Sequence, residues 1–170
     1  MGVITRGEPE GFVEFASAEG RPLFRTAWLL TADWQLSEDL VQETLGRMYV
    51  AWPKIDRIDN PAAYAQTVIV RVFLSQRRRR MSRERPAAEL PDTSSRDSDH
   101  DLEMMLVTAL AKLPKRDRVV LVLRYLEDRS VEQVAADLHR SAGAIRTQCS
   151  RALARLRAEL STDALDLLQP

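Results

Sequence analysis

The sequence predicts an all-α protein built of two small helical domains joined by a flexible linker. Apolar side chains recur at the three- and four-residue spacing of a helix through most of the 170 residues, and no stretch alternates apolar with polar residues as a half-buried strand does. Residues 86–101 interrupt this pattern, because they are rich in Ser, Asp and Pro and have almost nothing to bury. Since such a long loop is uncommon within one compact domain, we expect domains at residues 10–85 and 102–160.

The first domain is predicted to contain helices on either side of a central proline. Apolar residues at helical spacing outline one or two early helices: Phe12, Phe15, Leu23, Ala27 and Leu30. Ser37 is the expected N-cap of the next helix, which Pro53 ends because proline cannot continue a helix. Asn60 followed by Pro61 is typical of a cap and a first helical position, so a further helix should run from there towards Arg80.

The second domain is predicted to contain four helices. The first carries an apolar stripe over residues 102–113, and the second spans residues 116–126. Ser130 and Gln133 form the S-x-x-Q pattern of a capping box, which marks the start of the third helix. Ser141 is the expected cap of the fourth helix. The apolar face of that last helix consists of Ile145, Cys149, Leu153, Leu156 and Leu160.

The last two helices have the spacing of a helix-turn-helix, over residues 130–157. His139 occupies the turn position that needs a positive φ, which His tolerates better than most residues. The second helix begins with the small residues Ser141, Ala142 and Gly143, which would not obstruct entry into a DNA major groove. Its polar side holds residue types that bind bases or phosphates: Arg146, Thr147, Gln148, Ser150 and Arg151. The structural alternative is a solvated amphipathic helix pair.

Charge is distributed in blocks although the net charge of the chain is zero. Residues 61–86 carry seven basic side chains and one acidic one, residues 87–104 carry one basic and six acidic ones, and residues 105–170 are again basic. Two basic regions separated by an acidic one indicate two separate anionic contacts. The densest basic run is either a phosphate contact or the solvated end of a helix, where cations are favourable. It consists of Arg77, Arg78, Arg79 and Arg80.

An acidic stretch at residues 38–43 contrasts with these basic regions. Its carboxylates share a predicted helix with apolar side chains, and this combination suits docking onto a basic protein surface. The alternative is an ordinary acidic first turn, which is favourable at the positive end of any helix.

Several classes of protein are excluded by composition. No apolar run approaches the ~20 residues that span a bilayer, and the N-terminus lacks the basic stretch and apolar core of a secretory signal. We therefore expect a cytoplasmic protein without membrane insertion. Cys149 is the single cysteine, so a disulfide within one chain is excluded. With two histidines and neither a carboxylate pair, a Gly-rich phosphate loop nor a metal-ligand cluster, we expect no enzyme activity, no metal and no cofactor.

Together these features resemble the extracytoplasmic-function sigma factors of bacterial RNA polymerase, and more narrowly the SigE family of high-G+C bacteria. The stretch FRTAWLLTADWQLSEDLVQETLGRMYVAW, residues 24–52, resembles the part of sigma region 2 that binds the polymerase. Residues 60–80 resemble the promoter-reading part of the same region. Residues 106–160, which contain the helix-turn-helix, resemble sigma region 4. The resemblance extends over roughly residues 12–160 and implies the predicted two-domain helical fold.

The resemblance implies three groups of site residues. Core polymerase would be bound by Asp39, Leu40, Gln42 and Glu43. The −10 element would be bound by Asn60, Tyr64, Arg71, Arg77, Arg78, Arg79 and Arg80, with a flipped base captured near residues 55–64. The −35 element would be bound by Ser141, Ala142, Gly143, Arg146, Thr147, Gln148 and Arg151. Arg71 stands where the family usually has Asn, and Arg favours phosphate or guanine over the base edge that Asn reads.

The implied function is to direct the RNA polymerase core, through its β′ and β subunits, to promoter DNA and to start transcription by −35 recognition and −10 melting. An anti-sigma factor is the implied regulatory partner. Two alternatives come from other classes of protein. One is a stand-alone helix-turn-helix regulator whose N-terminal domain senses a ligand or dimerises, and the other is a helical adaptor that binds protein only.

Overall fold

The computed structural model describes residues 9–76 and 98–166, and the regular structure within these ranges is helical. The first half contains three helices, α1 (Phe12–Thr31), α2 (Trp34–Ala51) and α3 (Pro61–Ser75), with a 3₁₀ turn at Trp52–Arg57 between the last two. The second half contains α4 (Ser98–Lys112), α5 (Lys115–Leu121), α6 (Val131–Asp137) and α7 (Ala142–Asp166), and a π turn at Val122–Leu126 extends α5. The predicted all-α fold is confirmed.

Helix caps follow the sequence pattern at three starts. The Asn60 side chain accepts a hydrogen bond from the Ala63 amide at 2.9 Å, with Pro61 in the first position of α3. Ser130 and Gln133 form both bonds of the predicted capping box, at 3.0 and 2.8 Å. The hydroxyl of Ser141 accepts from the amide of Ala144 at 3.2 Å at the start of α7. Each such cap satisfies an amide that the helix itself leaves unpaired.

The predicted cap of α2 is wrong. Asp33 is the N-cap, and its carboxylate accepts from the Leu36 amide at 2.8 Å. Ser37 lies inside the helix, is fully buried, and donates to the main-chain oxygen of Asp33 at 2.7 Å. It also shares a 2.7 Å hydrogen bond with the hydroxyl of Thr31. Ser37 therefore satisfies its hydroxyl locally, as serine can within a helix, and the helix begins one turn earlier.

Two predicted boundaries shift in the structure. Helix α4 begins at Ser98, inside the segment predicted as linker, whereas residues 86–97 of that segment lie outside the described residues. Helix α3, expected to run towards Arg80, ends at Ser75. The four arginines at residues 77–80 also lie outside the described residues.

Each half has apolar side chains that are withdrawn from solvent. In the first half the fully buried residues include Leu23, Leu30, Leu40, Met48, Ile69 and Val72. In the second half they include Val107, Leu110, Val119, Leu123 and Ile145. Burying a side chain of this size stabilises a fold by about 1.5–3 kcal/mol. These contacts fix the orientation of α2 and α7, which carry many of the predicted binding residues on the sides that face away from the core.

The two halves also pack against each other, since α1 contacts α4 and α5, and α3 contacts α5. Arg118 of α5 is central to this contact. Its guanidinium donates to the main-chain oxygen of Leu30 at the end of α1, and to the oxygens of Ala111 and Leu113 at 2.7 and 3.1 Å. Only 8% of Arg118 is exposed, and this burial lowers its pKa to about 10, so the guanidinium is still charged at neutral pH.

Candidate nucleic-acid and protein interfaces

The helix-turn-helix is formed by α6, a tight turn and α7. Leu138 and Arg140 continue the hydrogen bonding of α6 through the turn, donating to the oxygens of Val134 and Ala135. His139 between them has a φ of 52°, which confirms the predicted left-handed conformation. Ala135 is buried, and α6 packs against α7. The turn thus holds α7 with its polar side outward.

The side chains predicted to bind the −35 element lie together on the first turns of α7 and its cap. Arg146, Thr147 and Arg151 are exposed, as are Ser141 and Gly143, whereas Ala142 and Gln148 are partly buried. Arg146 pairs with Glu132 of α6 at 2.8 Å, with the two side chains 62% and 66% exposed. Because such an exposed ion pair contributes little, Arg146 can exchange Glu132 for another anion at small cost.

Gln148 has a side chain that two other side chains hold, one at each end of its amide. Its Nε2 donates to Oδ1 of Asp117 at 3.1 Å, and its Oε1 accepts from Arg140 at 3.0 Å. Asp117 also accepts a hydrogen bond from Arg155. Asp117, Arg140 and Arg155 were not predicted from the sequence. No local pattern links Asp117 to Gln148, because it lies 31 residues away along the chain and reaches Gln148 only through the packing of α5 on α7.

The side chains predicted to bind the −10 element lie on or beside α3 where the structure describes them. The side-chain oxygen of Asn60 caps α3, so its amide N–H groups are what it can offer to DNA. Tyr64 is partly buried. Arg71 is exposed, yet its guanidinium donates twice to the main-chain oxygen of Asp137 in α6, at 3.2 Å each. It also lies 3.4 Å from Nε2 of His139. Arg71 therefore binds the helix-turn-helix here.

Four polar residues form what we call the interdomain cluster: Thr67, Arg71, Arg129 and Asp137. Arg129, which follows the π turn, donates to the hydroxyl of Thr67 at 2.9 Å, to the oxygen of Ala63 at 2.6 Å and to the carboxylate of Asp137. Thr67 in turn donates to Asp137 at 3.1 Å. The cluster lines a cleft of about 670 Å³ that also includes Asn60 and Tyr64. Asn60, Tyr64 and Arg71, the candidate contacts to the −10 element within the described residues, thus face the second half of the molecule.

Three of the four side chains predicted to bind core polymerase lie on the surface of α2. Asp39, Gln42 and Glu43 are exposed, and Glu43 pairs with Arg47 at 2.7 Å. Leu40 requires a correction, because it is fully buried and cannot present its side chain to a partner. It belongs to the hydrophobic core and anchors α2 there instead.

Tyr49 and Val50 are apolar side chains that remain exposed at the end of α2, with 37% and 80% of their surface accessible. Nothing in the sequence pattern separated them from core residues. They place apolar surface on the same helix as the exposed carboxylates.

Two general properties of the molecule follow from the residues at 9–76 and 98–166. No helix in these ranges is both long and apolar enough to span a membrane. Their His, Cys, Asp and Glu side chains form no group of three or more that could hold a metal ion.

Comparison with known proteins identifies both halves. The family model for Sigma-70 region 2 matches residues 15–83, and the model for Sigma-70, region 4 matches residues 103–156. An RNA polymerase sigma-E factor of Streptomyces antibioticus is 36% identical over 165 residues, covering 96% of this chain and 92% of the relative. The ECF RNA polymerase sigma factor SigL of Mycobacterium tuberculosis is 31% identical over 145 residues, covering 81% and 82%.

A solved structure supports the same assignment. The sigma factor RpoE from Bartonella quintana, in complex with the anti-sigma factor NepR, superposes with a TM-score of 0.71 and 25% identity, covering 91% of this chain and 99% of the other. The likeness therefore extends through both halves. The chain belongs to the sigma-70 family, and within it to the extracytoplasmic-function sigma factors of the sigma-E type.

Proposed function

We propose that this protein directs the RNA polymerase core to promoters, with α2 docking on the core, α3 and the segment after it binding the −10 element, and α7 binding the −35 element. The observation that carries the proposal is the match of both sigma regions, in order, over nearly the whole length of sigma-E relatives. In this role the chain supplies binding and positioning, and the polymerase supplies the chemistry. We propose no catalytic residue and no cofactor.

The exposed side of α7 supports the −35 assignment. Its first turns present small residues and then Arg146, Thr147 and Arg151, so bulk does not obstruct entry into a major groove about 12 Å wide. Arg146 and Arg151 have the chemistry for guanine or phosphate, and Gln148 for adenine. Ser141 and Thr147 carry hydroxyls for the backbone on either side.

The −10 assignment rests on Asn60, Tyr64, Arg71 and the four arginines at residues 77–80. Tyr64 supplies an aromatic face on which an extruded base can stack, and extrusion costs a few kcal/mol, so a preformed site helps. Arg71, in place of the usual Asn, suits a phosphate or a guanine. Its present bonds to Asp137 must break before it can contact DNA.

The geometry of a promoter requires the two halves to separate. The −10 and −35 elements are about 25 base pairs apart, which is roughly 85 Å at 3.4 Å per base pair. A compact chain of this length has a radius of gyration of about 15 Å and is roughly 40 Å across. The packed halves cannot reach both elements at once, so we expect core polymerase to bind the open form and to break the interdomain cluster.

The core-binding surface is proposed to be the acidic side of α2, with Asp39, Gln42 and Glu43 meeting the basic surface of a β′ segment. The β subunit would receive the second half. Because each contact alone is weak, holding both on one enzyme raises the effective concentration of the second contact. We propose that the protein acts in the cytoplasm. An anti-sigma factor is the expected regulatory partner, in line with the complex formed by the Bartonella relative.

Transcription in vitro with purified core polymerase tests this function. We expect promoter-specific transcripts with mapped starts only when the protein is added, and co-elution of the protein with the core. Asp39→Arg should weaken co-elution by about tenfold or more, because it reverses a charge in the docking surface. Glu103→Arg, an equal charge change at an exposed position of α4, is the matched control and should co-elute normally.

A different result would contradict the proposed function. Tight, core-independent binding to palindromic DNA would instead identify a stand-alone helix-turn-helix regulator.

A further inference from the structure

We propose, on the basis of the function above, that Asp117 is a positioning residue for −35 recognition. It lies in the first turn of α5, outside the helix-turn-helix, and is 6% exposed. Its task is to hold the side-chain amide of Gln148 in one orientation, so that α7 presents a fixed order of hydrogen-bond donor and acceptor to the DNA.

The observation is a chain of hydrogen bonds through four side chains. Arg140 in the turn donates to Oε1 of Gln148 at 3.0 Å. Nε2 of Gln148 donates to Oδ1 of Asp117 at 3.1 Å. The other carboxylate oxygen of Asp117 accepts from Arg155, which lies further along α7. Three segments of the chain thus meet at a cleft of about 410 Å³, which Thr147 and Arg151 of the candidate recognition surface also line.

The chemistry of the two partners determines which way the amide faces. A carboxylate can only accept hydrogen bonds, and a guanidinium can only donate them. The nitrogen of Gln148 must therefore face Asp117, and its oxygen must face Arg140. With both ends occupied by groups of opposite kind, reversing the amide would put donor against donor and acceptor against acceptor.

What remains free on Gln148 is one N–H and one lone pair. Adenine presents in the major groove an acceptor at N7 and a donor at N6, so the free groups match this edge. Guanine presents two acceptors there, which an amide held in this way cannot satisfy. Without Asp117 only the exposed Arg140 restrains the amide, so the amide can rotate and its donor and acceptor can exchange places. Preference among base pairs at that position should then weaken.

The charge of Asp117 is compatible with the structure around it, since it lies in the first turn of α5, where a carboxylate is favourable, and pairs with Arg155. A carboxylate beneath a DNA-binding surface repels phosphates, and buried carboxylates are rare unless paired. Here Arg155 pairs with it, and Arg140 and Arg151 line the same cleft, so the surface stays basic. The carboxylate is tolerated electrostatically and keeps its geometric effect on Gln148.

The test uses holoenzyme made from core polymerase and the full-length protein, on promoters randomised at each position of the −35 element. Gln148→Ala should reduce base discrimination at one position by about 5- to 150-fold, the range expected for loss of a bidentate contact. Asp117→Ala should reduce discrimination at the same position, and the double variant should be no worse than Gln148→Ala. Asp117→Asn combined with Arg155→Ala, which leaves the asparagine oxygen free to face Gln148 without setting its NH2 against the Arg155 guanidinium, should restore most of the preference.

Arg155→Ala is the matched control, because it removes the ion pair with Asp117 but keeps the contact to Gln148. It should weaken binding to all sequences alike and leave the base preference unchanged. The proposal is overturned if Asp117→Ala, shown to be folded by circular dichroism, keeps the wild-type preference, or if Gln148→Ala does. If the wild-type protein yields no promoter-specific transcripts at all, the proposed function itself fails, and this inference fails with it.

Discussion

At the scale of single residues, arginines that bind main-chain oxygens hold the two halves together. Arg118 reaches Leu30, Arg129 reaches Ala63, and Arg71 reaches Asp137. The planar guanidinium suits this use, because its five N–H groups point in fixed directions and it keeps its charge when partly buried. Because every residue carries a main-chain oxygen, these hydrogen bonds depend on where the backbone lies and not on the side chain of the accepting residue.

Arg118 should therefore be the most destabilising of these arginines to remove. In Arg118→Leu three carbonyl oxygens lose a charged donor, and we expect the free energy of unfolding to fall by about 3 kcal/mol or more. Urea denaturation followed by circular dichroism measures this change. Arg116→Leu, at an exposed position of the same helix, is the control and should stay within ~0.5 kcal/mol of wild type. A similar loss for both variants would contradict the assigned role of Arg118.

At the scale of elements, α7 combines two tasks on separate faces. Ile145, Cys149 and Ala152 are buried on one side, whereas Arg146 and Arg151 are exposed. The spacing of three and four residues keeps the apolar face continuous along the helix. The orientation of the outer face depends on the turn before it, where His139 adopts a left-handed conformation.

Substitutions of His139 in the turn should change the stability of the protein without altering the exposed side of α7. A left-handed residue with a side chain costs about 1–2 kcal/mol, whereas glycine adopts this conformation freely. His139→Gly should therefore raise the free energy of unfolding by up to ~1 kcal/mol, and His139→Val should lower it. Thermal denaturation of the two variants measures both effects. A His139→Gly protein less stable than wild type would mean that the contact between His139 and Arg71 outweighs the backbone cost.

At the scale of the whole molecule, the packed arrangement and the proposed function require different states. The interdomain cluster ties α3 to α6 through polar contacts. Asn60, Tyr64 and Arg71, the candidate contacts to the −10 element, lie in or beside it. Free protein in this arrangement should bind promoter DNA negligibly at ~150 mM salt, where exposed charges are screened beyond ~8 Å. Tight promoter binding without polymerase would contradict this expectation.

Arg129→Ala should shift the free protein towards separated halves. It removes the donor to Thr67, Ala63 and Asp137 together, and leaves the carboxylate of Asp137 without its ion pair. We expect small-angle X-ray scattering to give a radius of gyration about 10% or more above that of the wild-type protein. Arg146→Ala is the control, because its ion pair with Glu132 lies within the second half. An unchanged radius in Arg129→Ala would show that the apolar contacts alone hold the halves together.

Several features of the fold could be predicted from the sequence because they depend on interactions between residues that are close along the chain. Periodic apolar residues, the caps at Asn60, Ser130 and Ser141, and the φ of His139 each depend on near neighbours along the chain, so pattern alone predicted them. The cap at Ser37 was wrong because the helix begins one turn earlier, after the N-cap Asp33, and Ser37 is buried inside it. Leu40 was misassigned for a similar reason, since a leucine between carboxylates can face either way until the packing is known.

Only the tertiary structure decided how distant residues meet. Asp117 with Gln148, Arg118 with Leu30, and Arg71 with Asp137 are separated by 31, 88 and 66 residues. Hydrogen bonds act over about 3 Å, so partners this far apart along the chain are determined by the packing of whole helices. The sequence by itself predicted the helices and the side chains that we propose bind DNA. The packing of those helices determined which of these side chains are exposed and which are held by other groups of the protein.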